Sequence, residues 1–114
     1  MSNDKMRAIK IVDELMCFFF NIDITKLKID FDYEEKSQIK VSLQGDCSNP
    51  PKEKLQELEE ILNAPRQDVL EDYYWELVGE NDNYDELTLL GALVDGGDIK
   101  YNNNKLRITV YRKN

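Results

Sequence analysis

Hydrophobic residues recur along this chain with two different periods, and the switches between them mark out its elements. In residues 5–20, Ile9, Val12, Met16 and Phe19 fall at helical spacing, and Ala8, Ile11, Leu15, Phe18 and Phe20 widen the apolar surface. That pattern predicts a helix. Its last turn, residues 15–20, is apolar all round and is expected to be buried within the monomer rather than covered by a partner. After a connection over residues 21–25 the period drops to two. Leu27, Ile29, Phe31 and Tyr33 alternate with Lys28, Asp30 and Asp32, and beyond a turn at 34–37, Ile39, Val41 and Leu43 alternate with Lys40, Ser42 and Gln44. The two runs predict a hairpin with one wet face, packed on the first helix.

A loop over residues 45–51 ends in Pro50-Pro51, a pair that suits a helix start. Leu55, Leu58, Ile61 and Leu62 then form one stripe over residues 52–62. Asn63-Ala64-Pro65 breaks that helix, and a second is expected over 67–78 with Leu70, Tyr73 or Tyr74, Leu77 and Val78 inward. After a polar break, residues 85–94 are a strongly apolar helical run, followed by Gly96-Gly97, where positive φ is expected to end the helix. A second hairpin follows, turning at Asn102-Asn103-Asn104-Lys105 between Ile99/Tyr101 and the alternating Leu106, Ile108 and Val110.

The order is helix, hairpin, variable helices, helix, hairpin. It predicts a single α/β domain over residues 1–114, a two-layer sandwich whose mixed sheet is built from two hairpins with helices on one face. A chain of 114 residues is long enough for one modest core and too short for two.

Charge narrows the partners. The net charge of −8 argues against nucleic acid or an anionic membrane surface. The acid is concentrated: residues 52–86 hold twelve Asp or Glu against Lys52, Lys54 and Arg66, whereas residues 100–114 hold five bases and no acid. Such a run is a solvated face or a docking surface for a basic partner. Tyr73-Tyr74-Trp75 is divided between core and recognition, since aromatics supply both.

Cysteine usage is sparse, with Cys17 in an apolar helix and Cys47 in a loop, so a reduced, cytoplasmic setting is expected. Asp4 interrupts the amino end, and residues 15–20 are too short to span a bilayer, so neither a signal peptide nor membrane insertion is expected. The absence of histidine excludes His-based triads, most zinc sites and a phosphoacceptor histidine within this chain.

Three local patterns carry a family resemblance. Ile11-Val12-Asp13-Glu14-Leu15 stands where an E-x-x-x-N helix motif would begin. Ile39–Leu43, the loop 45–51 and Lys52-Glu53-Lys54-Leu55 look like a strand, a D-x-G-x-G loop and an "I-P-x-E-x-L" helix start. Leu90–Ile99 with its hairpin is similar to an "L-V-x-x-x-G-G-x-I" ending. In this order, over residues 6–112, the chain resembles the GHKL ATPase fold of sensor histidine kinases, gyrase-type ATPases and anti-sigma kinases.

The resemblance implies ATP and Mg²⁺ as cofactors, Glu14 as the catalytic carboxylate that positions or activates water, and Asp46 as the acceptor of the adenine amino group. The pattern also departs from the family. Four residues after Glu14, where the family holds Mg²⁺ with Asn, stands Phe18, which cannot ligate a hard cation, so no metal ligand is assigned. With the register set at Asp46 the acid is kept and the glycines become Ser48 and Pro50; anchored on Pro51, Gly45 replaces the acid. The second glycine box is replaced by Glu80–Glu86, acidic and glycine-free, which would repel triphosphate.

The expectation is therefore a sensor-histidine-kinase-type, ATPase-like domain of two-component signalling with weak or no ATP binding, inactive by itself. The alternative is a non-catalytic, acidic protein-interaction or dimerisation module. Either way the partner is a protein, a signalling protein or a second copy. From the residues alone, a solvated pair on the wet side of the helix is the commoner explanation of Glu14 beside Asp13, and a turn former that of Asp46.

Overall fold

The computed structural model describes residues 3–64 and 86–113. The helix expected over 67–78, the Tyr73-Tyr74-Trp75 run and the acidic stretch 80–85 lie outside the described residues.

The first helix, α1 (Asn3–Asn21), begins with Asp4 in its first turn, where a carboxylate meets the positive end of the helix dipole. Ala8, Ile11, Leu15, Phe18 and Phe19 form its buried stripe. Ile9 and Phe20, expected to face inward, are instead 55% and 47% exposed. Both lie about 160–180° around the helix from Ile11, at 100° per residue. The helix stops in a Schellman motif. Ile24 N–H donates to Phe19 O (2.9 Å) and Asp23 N–H to Phe20 O (3.0 Å), with Asp23 in the left-handed region at φ 65°. Ile24 and Phe19, the positions whose hydrophobic contact commonly accompanies this motif, are both buried in the core cluster.

Strands β1 (Leu27–Tyr33) and β2 (Gln38–Asp46) form the first hairpin, and β3 (Gly96–Asn102) and β4 (Lys105–Lys113) the second. The second turn uses Asn103 and Asn104 at φ 53° and 61°, the consecutive positive values a two-residue hairpin loop needs. All neighbours pair antiparallel in the order β1-β2-β4-β3. The expected mixed sheet is corrected here. β2 and β3 do run in the same direction, but β4 lies between them, so no parallel pair forms among the described strands.

One sheet face carries Ile39, Val41 and Leu43 from β2 and Leu106, Ile108 and Val110 from β4, all buried. Helices α1, α2 (Lys52–Leu62) and α3 (Glu86–Leu93) cover this face. Leu58 and Leu62 of α2 point into the core, and α3 packs between α1 and α2. That position explains why α3 is apolar on more than one side, with Leu89, Leu90, Ala92 and Leu93 all buried. Gly91 is where α2 comes closest: a Cβ there would lie 2.4 Å from Ile61 Cγ2. Arg112 is buried on the core face of β4 and donates to Leu93 O at 2.9 Å, satisfying a carbonyl at the end of α3.

The helix does not end on the two glycines. α3 stops at Leu93, Gly96 and Gly97 open β3, and no described glycine has positive φ. They are small for a different reason: a Cβ on Gly96 would lie 2.4 Å from the Tyr111 hydroxyl oxygen, and one on Gly97 2.7 Å from Leu62 Cδ1.

Candidate functional site

Glu14 sits on α1 at 1% exposure, with its carboxylate 2.8 Å from Lys10 Nζ. Lys10 also bonds Asp13 at 2.8 Å. Helical spacing places Glu14 and Lys10 on consecutive turns, so the acid is held by an i, i+4 pair within the helix layer. Phe18, one turn on, is 5% exposed and meets Phe19 edge to face with ring centroids 6.3 Å apart. The position where the family resemblance calls for a metal ligand is therefore part of the core.

Asp46 ends β2 and is exposed. It accepts a hydrogen bond from Lys105 Nζ at 2.9 Å, and this bond, together with the lysine's charge, holds its carboxyl below the usual value. Gly45 packs toward Ile24 beneath the helix layer, so the alternation of the strand turns Asp46 to the opposite face. Glu14 lies among the helices and Asp46 on the far side of the sheet, and the two are not brought together. The depression beside Asp46 is lined by Lys26, Lys28 and Lys105 with Gln44 and Gly45. Cys47 is buried, and its carbonyl accepts from the Tyr101 hydroxyl at 2.5 Å, fastening the loop to the second hairpin. Among the described residues no group of three or more His, Cys, Asp or Glu could hold a metal, and no helix is long and apolar enough to cross a membrane.

The outer sheet face is polar and internally paired. Ser42 and Thr109 share a hydroxyl hydrogen bond of 2.8 Å, and Arg107 reaches Gln44 and Asp30, each at 3.3 Å.

The opposite character appears beside α1. Its Ile9 flank and the core face of β1 do not close on each other. Between them runs a groove of about 280 Å³ lined by Lys5, Ala8, Ile9, Phe31 and Tyr33. Phe31 is 48% exposed and Ile29 41%, although both lie on the face that is sealed in β2 and β4. At one end Lys5 Nζ sits 5.9 Å over the Tyr33 ring and 3.6 Å from Glu35, its stem lying along the apolar wall.

The groove continues into a strand edge. Glu34 N–H donates to Gln38 O at 2.9 Å, so residues 28, 30, 32 and 34 turn their backbone groups toward β2. Leu27, Ile29, Phe31 and Tyr33 therefore point N–H and C=O away from the sheet. The other edge is partly guarded: the Asn63 side chain accepts from Gly97 N–H (3.3 Å) and donates to Gly97 O (3.2 Å), occupying the outward groups of that residue at the start of β3. Among the described residues β1 has no such cover, no proline, no bulge in its register and no charge on its core face. Alternation shows that Ile29 and Phe31 share a face but not how far α1 extends over it; Ile9, off the centre of its helical stripe, was the available signal.

No family model, no curated protein and no solved structure matches the chain.

Proposed function

We propose that this chain is a non-catalytic protein-docking module, built on a GHKL-like two-layer sandwich that has lost its nucleotide chemistry and serves in two-component-type signalling. The observation that carries the docking function is the apolar α1–β1 groove running into a strand edge that none of the described residues covers. Large apolar side chains left half in water are costly unless another surface uses them. Loss of ATP chemistry is supported by Phe18 in the core, Glu14 held by Lys10, and Asp46 on the opposite side of the sheet. Neither Cys17 nor Cys47 forms a disulfide, which fits a reducing cytoplasm.

Two measurements test the reading. A ligand at about 100 times its dissociation constant stabilises a protein by about 2.7 kcal/mol, a shift on the order of 10 °C for a domain of this size. Millimolar Mg²⁺-ATP is expected to leave the melting temperature unchanged, and a shift of several degrees refutes the loss of nucleotide binding. A photo-crosslinking amino acid at Ile9, in cells, should give one discrete protein adduct that disappears with Phe31→Lys. An adduct pattern identical to that from a probe at exposed Lys54 refutes the docking groove.

A further inference from the structure

We infer that the partner of this groove is a second copy of the chain, joined edge to edge through β1 so that two four-stranded sheets become one antiparallel sheet of eight strands. The inference rests on the docking reading above and names its occupant.

The β1 edge is self-complementary. For core faces to stay together across a two-fold axis, odd residues must oppose odd ones. The arrangement that pairs the whole strand centres the axis on Asp30. Ile29 then meets the partner's Phe31, Leu27 the partner's Tyr33, and Lys28 the partner's Asp32, each contact occurring twice. The residues with outward backbone groups, 27, 29, 31 and 33, are those that become hydrogen-bonded pairs, so the exposed donors and acceptors satisfy one another. Asp30 meets its own copy on the axis, the one like-charge contact, and each Asp30 already lies 3.3 Å from its own Arg107. Opposite charges at Lys28 and Asp32 fix the register, as cross-strand pairs do in any sheet.

The helix layer fits the same geometry. α1 packs against β2, so across the seam the two α1 helices stand about three strand spacings apart, roughly 14 Å. Direct helix packing needs 8–10 Å. The gap of a few ångströms is the space in which Ile9, Ile29 and Phe31 of both copies would be buried. The β3 edge offers a shorter open run than β1, because Asn63 already occupies the outward groups of Gly97.

Sedimentation velocity from about 5 to 500 μM should show a chain of 13.4 kDa sedimenting as a dimer with rising concentration. Ile29→Pro removes an outward N–H that the monomer's own sheet does not use, and should raise the dissociation constant at least tenfold with an unchanged circular-dichroism spectrum. Lys28→Glu and Asp32→Lys lie on the exposed face and should fold; each alone should weaken the dimer, and K28E/D32K together should restore it. A monomer at every concentration, a dimer indifferent to Ile29→Pro, or a double variant no better than the singles overturns the proposal. If the chain is monomeric but the Ile9 probe still captures one other polypeptide, self-pairing fails and the docking reading stands; if neither occurs, both fail.

Discussion

Asn63 joins two parts of the fold, and its replacement has a calculable effect. Its amide nitrogen donates to Glu59 O at 2.9 Å, closing α2, and to Gly97 O at 3.2 Å, while its amide oxygen accepts from Gly97 N–H at 3.3 Å. Asn63→Ala loses all three. The site is exposed, so water replaces part of the loss, and the two contacts to Gly97 are long. A well-formed hydrogen bond contributes about 1 kcal/mol net and each long one about half that, about 2 kcal/mol together, which water at the exposed site reduces to about 1.5 kcal/mol. In a domain of this size that lowers the melting temperature by about 6 °C. Asn63→Asp is the sharper probe. It keeps the acceptor for Gly97 N–H, but turns an oxygen toward two carbonyls and places a negative charge at the C-terminus of α2, where the dipole opposes it. The expected order of stability is Asn, then Ala, then Asp, measured by urea unfolding at neutral pH. Gly97 N–H should also lose protection from exchange in the Ala variant. An Asp variant as stable as wild type, or an Ala variant within about 0.3 kcal/mol of it, would falsify the role of Asn63 as the guard of the β3 edge.

Asp23 holds a left-handed conformation at φ 65°, which costs a non-glycine residue about 1 kcal/mol, so Asp23→Gly should raise stability by up to that amount in thermal melts. Gly91→Ala gains about 1 kcal/mol of helix propensity, but its Cβ would meet Ile61 Cγ2 at 2.4 Å and Ile61 O at 3.1 Å. Overpacking of about 1–3 kcal/mol should prevail, making the variant less stable in urea. Asp46 is held by Lys105 below the usual carboxylate value. Its folded-state pKa lies below its unfolded one, so its contribution to stability is present above the unfolded pKa and lost as pH falls through the folded one. The stability difference between wild type and Lys105→Met should be flat above roughly pH 5 and shrink below roughly pH 4.

Much of the fold was legible because period alone carries it. The alternation in 27–33 and 39–43 placed the first hairpin, the Asn run at 102–104 placed the second turn, and Leu55, Leu58, Ile61 and Leu62 marked the inner side of α2. Sheet order was not legible, since both hairpins are local and only the β2–β4 register joins them. The role of Gly96-Gly97 was misread for a related reason: a Gly pair after an apolar helix looks like a stop, whereas the Tyr111 ring that requires it comes from another strand. Candidate residues fared differently from candidate geometry. Glu14 and Asp46 were chosen by motif position, but a motif does not reveal which sheet face a residue occupies. The groove escaped because its walls, Ile9 and Phe31, have the composition of core, and only the lateral offset between α1 and β1 leaves them open.

Amide exchange at Ile29 and Phe31, followed against protein concentration, tests most directly whether the β1 edge is the binding seam. Both N–H groups should exchange as open amides in dilute protein and slow by more than tenfold as concentration rises, while Asp30, already bonded to β2, and Gly97, already bonded to Asn63, remain unchanged. Ile29 and Phe31 amides that stay unprotected at every concentration contradict the seam, and amides protected even at the highest dilution show that the edge is not open.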